Sequence, residues 1–255
     1  MAYESEAAHW YDREGKGCHT VPNKSKPGES RNTTIRDAKK MGLVPSVSGI
    51  LGQLDKPALT RWHWKQRLQI AHRMPHIENY EEWERMVSTE FAESNTAAAI
   101  GTRIHGAIEE FYETGVIKSG QDHERVCNTI LLIDNLFPNR EWSTERAFSS
   151  SLGYGGCCDL HCPATGIERA IVLDFKTKDG DVSKGVKMYD DINACQLESY
   201  GKGLGLDNPI LVNVFISRTD DSVSYKVWDK SDTYWKKFNL LLDLWKLNKG
   251  YDSGY

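Results

Sequence analysis

No apolar run in this sequence approaches the ~18 residues of a membrane-spanning helix. The first ten residues carry Glu4, Glu6 and His9 and lack the apolar stretch of a signal peptide. A cytoplasmic protein with no membrane partner is expected. Basic residues are not in excess: 32 Lys and Arg against 36 Asp and Glu leave a formal net charge of −4. That argues against coating nucleic acid by bulk attraction, while leaving room for an enzyme that meets phosphate through cations and a local basic groove. The six cysteines (Cys18, Cys127, Cys157, Cys158, Cys162 and Cys195) have spacings that suggest no disulfide framework and are read as reduced thiols. Cys158, His161 and Cys162 have no second ligand pair at a suitable spacing, so no zinc is expected. Internal repeats and low-complexity tracts are absent as well.

What is present is an ordinary globular composition, 39% hydrophobic and 27% charged over 255 residues, enough for one large domain. Residues 1–44 read as an N-terminal arm. Its first 35 residues, rich in Gly, Lys, Ser, Asn and Pro between Gly15 and Thr34, read as an extended segment or a short hairpin outside the core. Residues 45–140 read as helical. Ser46 or Ser48 caps a short helix through Ile50 and Leu51. Lys56-Pro57 opens another, with Leu59, Trp62, Gln66 and Ile70 at helical spacing. Glu78 to Glu93 repeats Tyr80, Trp83, Val87 and Phe91. Asn95 caps a helix to about Glu113 with the stripe Ile100, Ile104, Ala107, Ile108 and Phe111, and Asp122 to Leu136 is the last helix before Pro138.

Residues 141–255 change period. Strands at Thr144 to Ser150, Gly155 to Cys162 and Ala170 to Lys176 precede a helix from Asp191 to Leu204. Two more strands (Ile210 to Ser217 and Ser222 to Trp228) and a final helix capped by Ser231 follow. The run Ile171-Val172-Leu173 suggests a strand buried on both faces. The expected fold class is α/β: a central mixed β-sheet flanked by helices, with a helical N-terminal half.

That buried strand is where the chemistry concentrates. It is apolar as far as Leu173 and then presents Asp174 and Lys176, which as residues i and i+2 share a face ~6–7 Å apart. Charges at the end of a buried strand are costly unless they serve a partner. Asp159 stands fifteen residues earlier, shortly after Gly155 and Gly156, and a hairpin-sized connection can set it beside Asp174 on a neighbouring strand. Two close carboxylates repel, and a divalent cation relieves the repulsion. Oxygen ligands with one imidazole suit Mg2+ or Mn2+. Singly, each residue has a blander reading: a surface Asp-x-Lys pair, a turn aspartate, a helix-surface histidine at His105. The combination on these elements is far more specific.

Gly101-x-x-x-His105 on a helix, Asp159 and Asp174-x-Lys176 on strands, and Gln196-x-x-x-Tyr200 on the following helix form a pattern spanning about Gly101 to Gly205. It resembles the RecB-like branch of the PD-(D/E)xK nuclease superfamily. Upstream, Pro45-Ser-Val-Ser-Gly-Ile-Leu, Lys56-Pro-Ala-Leu and Trp62 are similar to the start of phage-encoded exonucleases and the mitochondrial genome-maintenance exonuclease. His9-Trp-Tyr-Asp and Cys18-His-Thr-Val-Pro also look phage-like.

The resemblance implies a restriction-endonuclease-like core and a Mg2+- or Mn2+-dependent DNA exonuclease acting in phage recombination or DNA processing. The substrate it implies is DNA that is single-stranded or has a free end. A phage recombinase or single-strand-binding protein is the implied protein partner, in the cytoplasm of a bacterial host. His105, Asp159, Asp174 and the main-chain carbonyl of Phe175 are the implied metal ligands. Lys176 would orient or activate the attacking water and stabilise charge on the phosphoryl group. Gln196 and Tyr200 would brace the site or touch DNA. Some relatives hold an iron–sulfur cluster through four cysteines, three of them near the C-terminus; with none after Cys195, no cluster is expected here. The superfamily's common Glu-x-Lys is Asp174-x-Lys176 in this chain, which is normal for the branch.

Glu145, on the strand before Asp159, reads as an added ligand or DNA-end contact. Glu109, one helical turn past His105, reads as a group orienting that ring. A surface role is the plainer reading of both. Arg61, Lys65, Arg67, His72 and Arg73 form a local basic face near which single-stranded DNA is expected. Trp62, Trp64, Tyr80 and Trp83 read mostly as core packing, with base stacking as the alternative. Two other functional readings stand beside the exonuclease. One is a structure-specific or nicking endonuclease. The other is a catalytically silent DNA-binding recombination partner, against which the intact His105, Asp159, Asp174 and Lys176 speak.

Overall fold

Segments of period two in the second half of the chain become strands, and the segments of helical period become helices. The computed structural model describes residues 9–54, 57–74, 77–93, 96–188 and 190–254. In chain order these give β1 (Trp10–Tyr11), β2 (Thr20–Pro22), β3 (Ser30–Asn32), α1 (Ile35–Met41), β4 (Val44–Pro45) and α2 (Val47–Leu51). Then come α3 (Pro57–Arg73), α4 (Tyr80–Glu93), α5 (Thr96–Thr114), α6 (His123–Leu136), β5 (Ser143–Ser150), β6 (Tyr154–Cys162) and β7 (Ile171–Lys178). The chain finishes with α7 (Ile192–Gly203), β8 (Ile210–Ser217), β9 (Val223–Trp228) and α8 (Asp232–Lys249).

The protein is a mixed α/β fold around a five-stranded sheet in the order β5-β6-β7-β8-β9. Neighbours are antiparallel except β7 and β8, which run parallel with α7 as the crossover between them. Ile171, Leu173 and Phe175 of β7 and Val212, Val214 and Ile216 of β8 pack with Ile104 and Ile108 of α5 and Val126, Ile130 and Ile133 of α6. Val172 and Leu211 belong to the opposite cluster, with Leu51, Leu197, Phe238 and Trp245 from α2, α7 and α8. Both faces are covered, which is why β7 as far as Leu173 and β8 apart from Asn213 read as apolar runs.

The caps follow the expected chemistry. Ser46 accepts from the Gly49 N–H at the start of α2, and Ser231 accepts from the Thr233 N–H at the start of α8. α4 starts two residues later than expected because Asn79 accepts from the N–H groups of Glu81 and Glu82. Asp122 precedes α6 but spends its carboxylate on Arg103 and Arg125 instead of capping. Lys56 and Asn95, and the side chains of Leu59 and Phe91, lie outside the described residues.

Two expectations need correction. The first is the core-free N-terminus. β2 and β3 do form a hairpin, but Trp10 is 4% exposed, and β1 pairs with β4 through Trp10↔Pro45 and Tyr11↔Val44. The Trp10 indole donates to the Thr33 carbonyl at 3.1 Å. Two adjacent aromatic side chains carry enough apolar area to draw an otherwise loop-like segment into the core. The second is core packing by the helical-half aromatics. α3 and α4 pack on each other through Ile70 and Val87, backed by Ala71, Met74 and Trp83. Trp62, Trp64 and Tyr80 remain exposed. The α3–α4 contact is one narrow stripe, which Ile70 and Met74 fill, and Trp62 and Trp64 project from other sides of the helix.

Among the described residues no helix is long and apolar enough to cross a membrane. Ile104 of α5 is fully buried against the sheet. Ile104→Ala is expected to cost about 2–5 kcal/mol in urea unfolding, since it deletes buried methyl groups and leaves a cavity.

Candidate active site

β6 and β7 are paired from Cys162↔Ile171 to Leu160↔Leu173, and the pairing stops there. Asp159 and Asp174 are the next two positions in that register, so they sit where the strands part. Backbone groups past such a fork need other partners. The Phe175 N–H finds one in Asp159 Oδ2, at 2.8 Å. In a strand a residue's N–H and C=O face the same neighbour, so the Phe175 carbonyl faces the fork as well.

Asp174 is 3% exposed on the α7 side of the sheet. A carboxylate buried this deeply requires partners. Lys176 Nζ lies 2.7 Å from Asp174 Oδ2 and 3.0 Å from Oδ1. Gln196 of α7 completes a ring: its Nε2 donates to Asp174 Oδ1 at 3.2 Å, and its Oε1 accepts from Lys176 at 3.2 Å. The charges on either side leave that amide one favourable orientation. The same Nε2 donates to the Tyr200 hydroxyl oxygen at 2.8 Å, one turn further along the helix. Gln196 and Tyr200 therefore brace Asp174 and Lys176.

Two residues that the sequence reading passed over complete this arrangement. Asn213, fully buried on β8 and in register with Asp174, donates to Asp174 Oδ2 at 2.8 Å and to the Asp174 carbonyl at 3.3 Å. Its own Oδ1 accepts from the Trp228 indole N–H at 2.8 Å. The signal was available: Asn213 is a polar residue inside an otherwise apolar strand, the same anomaly that singled out Asp174.

His105 arrives from α5. A Cβ added at Gly101, one turn earlier, would stand only 3.0 Å from Thr177 Oγ1 of β7. The glycine thus permits close approach of the helix to the strand end. The His105 ring meets the edge of Phe175, with centroids 5.5 Å apart, and its Nδ1 is 3.7 Å from Asp159 Oδ2. Burial pushes the His105 pKa below its ordinary value, opposed in part by Asp174. That favours the neutral imidazole, the form that ligates cations.

Burial, and then the neighbouring Asp174, push the Asp159 pKa up to about 8, against the pull of Lys176 and the Phe175 N–H. Two carboxylates here share one ammonium, so the site is short of positive charge. Hard oxygen donors beside a neutral imidazole fit Mg2+ or Mn2+. Among the described residues no three His, Cys, Asp or Glu side chains form a ready-made metal cluster. The oxygens of Asp174 are engaged by Lys176, Gln196 and Asn213.

A small pocket beside the fork is lined by His105, Glu109, Tyr112, Glu145 and Asp159, with Phe175 behind. Glu145 lies opposite Asp159 in the β5–β6 register, at a step the pairing skips, with φ at 33°. A non-glycine residue there is strained, and such strain gathers at functional positions. The Glu109 pKa is raised by burial first and then by the nearby carboxylates of Glu145 and Glu113. Glu109 shares this pocket with His105.

No family model matches this chain, and no curated protein matches it. One solved structure, "Crystal structure of SSO0001", is similar at 15% identity over 73% of this chain and 84% of that one, with a TM-score of 0.35. A likeness that loose says nothing about fold or function.

Two measurements check this geometry. Asn213→Ala removes one of the two donors to Asp174 Oδ2, strands the Trp228 indole N–H, and is expected to cost about 1–3 kcal/mol in urea unfolding. The raised Asp159 pKa also has a sign. Its contribution to stability is complete below the ordinary carboxylate range and is lost as pH climbs through about 8. Asp159→Asn should therefore melt several degrees above wild type at pH 8.5 in EDTA, with the gap closing near pH 4. A constant gap across that range would refute the assignment.

Proposed function

We propose that the protein is a Mg2+- or Mn2+-dependent DNA phosphodiester hydrolase of the RecB-like PD-(D/E)xK kind, built on a restriction-endonuclease-like core. The observation that supports this best is the convergence at the strand fork. One carboxylate comes from each parting strand, an ammonium lies two residues along the same face, and an imidazole descends from a helix. His105, Asp159, Asp174 and the Phe175 carbonyl would hold the cation. When bound, such an ion acidifies water and acts as a Lewis acid toward phosphate.

The chain's own residues do the rest. Asp174, fixed by Asn213 and Gln196, holds the Lys176 ammonium at the fork. Lys176 orients the attacking water and offsets negative charge that builds on the phosphoryl oxygens. Tyr200 keeps the Gln196 amide in the orientation that serves both charges. The neutral His105 imidazole keeps its lone pair available for ligation. The reading extends to an exonuclease acting on DNA that is single-stranded or has a free end, in phage recombination or DNA processing.

Digestion of end-labelled linear DNA with Mg2+ or Mn2+, against EDTA, tests the reading. Asp174→Ala and Lys176→Ala should each slow it by at least ~10²-fold, and wild-type rates in both variants would end the assignment. A closed single-stranded circle should survive, and cutting it would replace the exonuclease with an endonuclease. Mn2+ should raise the melting temperature of the wild type at pH 8, and much less that of Asp159→Asn.

A further inference from the structure

The 17 residues of α3 include four Arg or Lys and no Asp or Glu, in a chain of net charge −4. The helix turns Ile70 and Met74 toward α4. At ~100° per residue the other side collects Arg61, Trp64, Lys65, Leu68 and His72, and these line one open groove. Trp64 is 64% exposed and Leu68 63%. Neither Arg61 nor Lys65 has a carboxylate within 4.0 Å among the described residues, whereas Arg73, at the end of the face, pairs with Glu90 at 3.6 Å.

Deepening the nuclease reading, on which the choice of DNA rests, we propose that this face of α3 docks a single-stranded DNA segment. Its phosphates would lie on Arg61 and Lys65, and a base would stack on Trp64. The arrangement of charge and apolar surface selects this occupant. A helix that lies on a membrane segregates its cations from its apolar side chains. Here they interleave on one face, within the ~16 Å between Arg61 and His72 at 1.5 Å per residue. A single strand presents phosphates and open base faces in the same alternation, over roughly three to five nucleotides, and aromatic side chains bind it by stacking. A duplex keeps its base faces stacked inside and leaves Trp64 without a partner. An acidic protein offers charge without the stacking surface.

The test is fluorescence anisotropy of fluorescein-labelled dT12 with the full chain in EDTA, where cleavage cannot occur, over a salt series. Trp64→Ala should weaken binding ~10-fold or more, and Trp64→Phe should restore most of it. Arg61→Ala with Lys65→Ala should weaken binding and flatten the log affinity against log salt slope by about 1.4, at ~0.7 per phosphate contact on a single strand. All substitutions are at exposed positions, and unchanged melting curves should confirm intact folding. Affinities within twofold of wild type across the set overturn the proposal. So does preferential binding to phosphatidylserine vesicles through the same residues. Binding of dT12 through α3 in a chain that digests no DNA overturns the nuclease reading and leaves this surface standing. Digestion that is indifferent to all three variants, with dT12 affinity unchanged, does the reverse.

Discussion

The parallel pairing of β7 with β8 is the constraint on which the site depends. It sets Asp174 directly beside Asn213, deep in the sheet, at the position where β6 leaves β7. A carboxylate there has lost most of its water and survives only through fixed donors. Asn213 from the next strand, Gln196 from the crossover helix and Lys176 from the same strand supply them. Each comes from a different stretch of chain, so the arrangement exists only when the whole sheet and α7 are in place. Trp228 on β9 extends the dependence to the far edge of the sheet.

The fork is also electrostatically unbalanced. Asp159 and Asp174 share one ammonium, burial favours the neutral imidazole, and Glu109 and Glu145 crowd the adjoining pocket. Glu145 is held with φ at 33°, opposite Asp159, where the β5–β6 ladder misses a step. Unrelieved charge and backbone strain both reduce stability, and folds keep such features where a bound partner relieves them. The proposed cation is such a partner, because it adds the positive charge the fork lacks.

The helical half serves a different purpose. α5 and α6 bury their stripes against the sheet and deliver His105. α3 and α4 have too few inward apolar residues for that and join mainly to each other. Their outer surfaces therefore keep large side chains in water. On α3 these surfaces are basic and aromatic together, a composition that suits a flexible polyanion with exposed rings.

Much of this was determined by the sequence alone, because the relevant physics is short-ranged. Periods of two and 3.6 marked the strands and helices, and Ser46 and Ser231 announced their caps. The i, i+2 spacing put Lys176 beside Asp174, and the i, i+4 spacing put Tyr200 beside Gln196. The tertiary structure decided what depends on distant pairing. It put Asn213 and Trp228 behind Asp174, drew Trp10 into the core, set Glu109 and Glu145 in one pocket beside the fork, and left Trp64 in solvent. Strand register and the covering of a face are set by segments tens of residues apart, and the periodicity of any one segment carries no information about its partner.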